Sequence, residues 1–117
     1  MSSAAENTHK ILDARHRRLS IAVAVHVRED PSHIERALAR VRQQLDNSSA
    51  SARWSLEQWR DLLEAAKDSA EGFAVLLDIL TRDDEHATRL RSSSPFAGVI
   101  SQAERENILV HDKNLQG

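Results

Sequence analysis

A chain of 117 residues is long enough for one domain with a modest core and too short for two independent ones. With 40% apolar and 29% charged residues it is too apolar to be disordered throughout, and a formal net charge of −2 gives no global attraction to nucleic acid or to an anionic membrane. The absence of cysteine excludes disulfides and thiolate metal sites, and no apolar run approaches the about 18 residues that a membrane helix needs.

The opening MSSAAENTHK lacks the charged-then-apolar pattern of a secretory signal, so the expected location is the cytoplasm, with no membrane contact. Residues 1–7 are small and polar and are expected to be a disordered N-terminus. A single helical domain is expected over 8–110, followed by a flexible C-terminus at 111–117. Between Thr8 and Glu29 no proline or glycine intervenes, and a basic half gives way to an apolar half. That second half reads two ways. Ile21, Val23, Val25 and Val27 alternate and are β-branched, as in a strand, whereas Leu19, Ala22, Val23 and the long unbroken span fit a helix. A lone strand would leave its backbone groups unpaired, which favours the helix. A strand at 19–27 pairing between two subunits of a small α+β fold is the alternative.

Asp30-Pro31 marks a helix start, because aspartate caps and proline suits the first helical position. Ile34, Leu38, Val41 and Leu45 then form an amphipathic stripe that ends in the polar cluster 46–49. Around Trp54 the pattern predicts a further helix start, with Ser55 as cap, Gln58 reaching back and Trp54 stapled onto Trp59. Another helix is predicted to begin near Ser69, with Phe73, Leu76, Leu77 and Leu80 as its buried stripe despite Gly72. Thr81 or Asp83 is expected to cap the next helix, whose acidic start and Arg89/Arg91 end complement its dipole. Three serines and Pro95 stop it. Phe96 follows as a plug, Gly98 allows a turn, and Ser101-x-x-Glu104 is a capping-box signature for a last helix running to about Val110.

Catalytic and metal chemistry find little support. Histidine pairs His9/His16 and His26/His33 are seven apart rather than three or four, so no helical metal pair forms. The cluster 83–86 sits where a helix N-terminus favours acids, and serines 92–94 lack the glycine-framed elbow of a nucleophile. No enzyme activity, cofactor or metal is expected. The basic run Lys10, Arg15, His16, Arg17 and Arg18 is the feature suited to phosphate contacts, its bland alternative being a solvated helix face.

The segment from Asp83 to Arg105, containing LRSSSPFAGVIS and a following Glu-Arg, together with Glu29-Asp30-Pro31 and Trp59 ahead of Leu62-Leu63, resembles a group of short bacterial antitoxin-like helical proteins. The likeness covers about residues 15–109 and is most specific over 89–101; Ile100 stands where the pattern has leucine. It implies an antitoxin that binds and neutralises a partner toxin encoded beside it, by direct protein–protein contact. Arg89, Arg91, Phe96, Glu104 and Arg105 are the candidate partner-binding residues. The alternatives are a nucleic-acid-binding regulator using Lys10, Arg15, Arg17 and Arg18, or a phage-derived structural or interaction protein. The fold expected is all-α, a small bundle of five or six short helices, with Ile34, Leu38, Leu62, Leu63, Phe73, Leu76, Leu77, Leu80, Leu90 and Ile108 in the core.

Overall fold

The computed structural model describes the backbone of residues 3–96 and 98–116 and the side chains of residues 14–96 and 98–110. The fold is all-α. Among the described residues there are six helices and no strand: α1 (Ser3–Glu29), α2 (Ser32–Asp46), α3 (Ala50–Asp68), α4 (Ala70–Thr81), α5 (Glu85–Arg91) and α6 (Gln102–Gln116). The first helix begins earlier than Thr8 and the last runs beyond Val110. No described helix is long and apolar enough to cross a membrane.

The ambiguous 19–27 segment is helical, and burial along it follows helical spacing. Val23 and Val27 are buried while Val25 is 44% exposed, whereas a strand would have placed all three on one face. Leu19 and Ala24 complete the buried stripe that α1 lays against the bundle. The turn into α2 works as its sequence suggests. Asp30 Oδ1 accepts from the Ser32 backbone N–H (3.1 Å) and hydroxyl (2.6 Å), and Pro31 already has helical dihedrals.

Helices α2 and α3 run antiparallel, Glu35 pairing with Lys67 at one end and Arg42 with Glu64 further along. Between them lie Ile34, Ala37, Leu38 and Val41 of α2 and Leu56, Trp59, Leu63 and Ala66 of α3. The helix start expected at Trp54-Ser55 is not one. Helix α3 begins five residues earlier, after Ser49, whose carbonyl accepts from Ala52 N–H, so Ser55 is interior and its hydroxyl meets that of Ser93. Trp54 turns outward, and no staple forms. Alanines and serines at 50–53 continue a helix readily, so the apolar Trp54 marked a change of face, not a boundary.

Ser69 alone links α3 to α4. Its backbone is extended, and its hydroxyl caps α4 by accepting from Gly72 N–H at 2.9 Å. Gly72 is buried against α3, where a methyl group would overlap the Ala65 carbonyl. This contact fixes how α4 faces the core. Gly72, Leu76, Ile79 and Leu80 are buried, whereas Phe73 and Leu77 sit at the margin and Val75 is 51% exposed. Of the other expected core residues, Ile34, Leu38, Leu63 and Leu90 are buried, Leu62 packs at the edge and Ile108 is half-buried. Trp59, Val41 and Phe96 join them.

Gly72→Ala is expected to cost about 2–3 kcal/mol through overpacking of the α3–α4 contact. At Gly98, whose φ is +86° and around which a methyl group meets nothing within 4 Å, alanine costs about 1–2 kcal/mol through backbone strain alone. Urea unfolding midpoints of the two variants test that order.

Candidate functional site

Helix α5 has seven residues, too few to persist without support, and three attachments hold it. Asp84 Oδ1 caps it by accepting from Ala87 N–H at 2.8 Å, so the cap expected at Thr81 or Asp83 lies at Asp84. Thr81 is the last residue of α4, its hydroxyl donating to the Leu77 carbonyl. The buried Trp59 indole N–H donates to the Leu90 carbonyl at 3.0 Å. Finally Arg91, 7% exposed, lays its guanidinium across the end of α4: Nη1 donates to the carbonyls of Ile79 (3.0 Å) and Arg82 (2.6 Å), and Nη2 to the Thr88 hydroxyl.

A second arginine reaches the same helix end from α1. Arg17 Nε donates to the Thr81 carbonyl at 2.9 Å. The last carbonyls of α4 thus receive two cations from elements distant in sequence, the arrangement that the negative end of a helix dipole favours. Arg17 is thereby committed within the fold; Arg15 and Arg18 are half-buried and engaged, and the Lys10 side chain lies outside the described residues.

The turn 92–100 is built by its serines and by Phe96. Ser92 and Ser93 hydroxyls donate to the carbonyls of Arg89 and Leu90, and the Ser94 hydroxyl accepts from Phe96 N–H. Phe96 is 4% exposed and meets Trp59 edge-on, ring centroids 6.1 Å apart. Ser101 then caps α6, accepting from Glu104 N–H at 3.1 Å. The Glu104 carboxylate does not reach back to complete the box. It crosses to α1 and meets His26 Nε2 at 2.8 and 3.1 Å, and the His26 ring lies edge-on to that of His33.

The five candidate partner-binding residues therefore separate. Arg91 and Phe96 are inside, Glu104 braces α6 against α1, and Arg89 and Arg105 are on the surface. Arg89 lies over the Trp54 ring, its guanidinium carbon 4.4 Å from the centroid, with His86 edge-on to the same ring. Trp54 is 39% exposed. This aromatic–arginine cluster of α3 and α5 escaped the sequence reading of Trp54. The signal was the match between an indole and a basic residue one helix away, which needs the fold to be seen.

The turn 92–100 also separates two clefts. One, of about 180 Å³, is lined by His33, Arg36, Arg40 and Phe96 among others. The other, of about 280 Å³, opens between α1, the turn and α6. Among the described residues no three His, Asp or Glu side chains converge as a metal site would need. Comparison with protein-family models, with curated proteins and with solved structures finds no match for this chain.

Arg91→Met, which keeps the stem and removes the donors, is expected to cost about 3 kcal/mol by taking the donor from the Ile79 and Arg82 carbonyls, against about 1 kcal/mol for Arg17→Met; chemical unfolding of both variants checks this. A second expectation concerns acid. The Asp30 carboxyl is held below its ordinary range by the Ser32 hydroxyl and backbone N–H, aided by His33 and Arg36, and that of Asp84 by the Ala87 N–H and then by Arg82. Both pKa values are lower folded than unfolded, so their contribution is complete above about pH 4 and is lost as pH falls through the depressed values. Asp30→Asn with Asp84→Asn keeps a capping oxygen and should flatten the fall in unfolding midpoint between about pH 4 and pH 2.

Proposed function

We propose that this chain is an antitoxin-like binding protein that neutralises a toxin encoded beside it by direct protein–protein contact, docking through the face where Trp54, His86 and Arg89 meet. The observation that carries the reading is the half-open Trp54 ring held under Arg89. Tryptophan and arginine are the side chains that most often anchor protein interfaces. An indole already fixed by a guanidinium and an imidazole loses little rotamer freedom on docking, which removes part of the entropic cost of association. The resemblance of residues 89–105 to short antitoxin-like proteins supports the class of partner, and its residues divide the work. Arg91 and Phe96 shape the segment, and Arg89 is presented at the surface. Arg89 also adds a positive charge to the docking face, which suits a toxin whose complementary surface is acidic.

The test is co-expression of the tagged chain with the product of the neighbouring gene, read by pull-down and by growth. A complex that restores growth is expected, and Trp54→Ala with Arg89→Ala should weaken it by about 100-fold or more. The same pair should shift the unfolding midpoint little, since an exposed cation–π contact contributes about 0.5–1 kcal/mol. No complex and no rescue would overturn the antitoxin reading; a complex indifferent to the double substitution would overturn this face.

A further inference from the structure

We infer that the cleft between α1, the turn 92–100 and α6 is a binding site for a phosphate group carried on a small organic body. Among the described residues its polar lining is one-sided: His16, Arg91 and Arg105 with Ser20, Ser92 and Ser94, and no carboxylate. Leu19, Val23, Phe96 and Ile100 form the apolar remainder. In a chain of net charge −2 with 18 acidic residues, a recess whose described lining gathers donors and holds no acid favours anions.

Ser20 supplies an independent sign. It is 7% exposed, lines this cleft, and its hydroxyl has no hydrogen-bond partner among the described residues. A buried hydroxyl left without a partner is costly, and native structures rarely leave one unless water or a ligand completes it. His16 stands one helical turn before Ser20 on the same face, so the two approach the cleft together. Arg105 comes from α6 and Ser94 from the turn, where the Ser92 hydroxyl is already given to the Arg89 carbonyl. Donors arriving from three segments suit a tetrahedral group with several acceptor oxygens better than a planar carboxylate, which is matched from one side. The volume of about 280 Å³ exceeds what a phosphate alone occupies, and the apolar wall accommodates the body attached to it. Arg91, held by α4 carbonyls, contributes fixed positive charge at the rear without having to move.

This site stands apart from the Trp54 face and does not depend on it. The test is titration of the intact chain, followed by backbone amide NMR, with phenyl phosphate, inorganic phosphate and benzoate at constant ionic strength. Saturable shifts confined to the neighbourhood of Ser20, Ser92, Ser94 and Gly98 are expected, with phenyl phosphate bound most tightly. Arg105→Ala, at an exposed position that leaves the fold intact, should weaken binding about tenfold or more, and Ser20→Ala severalfold. Absence of saturation would mean that the cleft holds water only and would overturn the inference. So would shifts that survive Arg105→Ala, which mark loose surface association, and so would benzoate binding as tightly as phenyl phosphate, which makes the site a carboxylate site.

Discussion

The hydrogen bond from the Trp59 indole to the Leu90 carbonyl is the constraint on which the C-terminal half of the molecule depends. A fully buried indole N–H must find an acceptor, and here it finds one at the last turn of the shortest helix. The same ring meets that of Phe96 in a T-shaped contact, so one side chain of α3 positions both the end of α5 and the plug that follows. Without it a seven-residue helix and a serine-rich turn would have little reason to hold one conformation. With it, Ser92 to Phe96 becomes a wall, with a basic cleft on each side and an exposed tryptophan–arginine cluster one turn upstream.

Much of the secondary structure was legible because its signals are local. Asp30-Pro31, Ser69 and Ser101 each satisfy backbone N–H groups within three residues, and each stands at the start of the helix expected there. The all-α class was legible for the same reason, and the apolar stripe of α2 carried its period without ambiguity. Ser55 failed as a cap because the chemistry that makes serine a good cap also lets it sit inside a helix with its hydroxyl turned to another segment, here Ser93. In α4 the apolar residues nearly encircle the helix, so sequence could not fix which stripe faced inward. The Gly72–Ala65 contact decided it, and that contact spans two helices.

The long-range polar contacts were beyond sequence reading. Arg17 and Thr81 are 64 residues apart, and His26 and Glu104 are 78 apart. Nothing in the local spacing of Arg17 distinguishes an arginine that caps a distant helix from one that meets solvent or phosphate. Four arginines make the point: Arg17 and Arg91 close the end of α4, Arg89 covers an indole, and Arg105 borders a cleft. All four carry the same charge, and only their surroundings assign the role.

Those surroundings also explain how a slightly acidic chain can present basic recesses. Asp78, Asp84, Glu35, Glu57 and Glu64 are engaged with basic partners on the outer surface, where each pair is solvated and contributes little. Of the two acids that flank Arg105 in sequence, Glu104 is drawn across to His26 on α1, and Glu106 accepts from the Gln102 side-chain amide. Among the described residues no acid lines the α1–α6 cleft, whose field is set by what lines it and not by the total charge. Field lines from a few cations persist in a concave, partly apolar recess because less water screens them there than on an open helix face. Within the cleft, then, the geometry of α6 matters as much as its sequence. The capping of α6 by Ser101 and the bracing of Glu104 against His26 hold Arg105 at the cleft's edge and turn the Glu104 carboxylate toward α1.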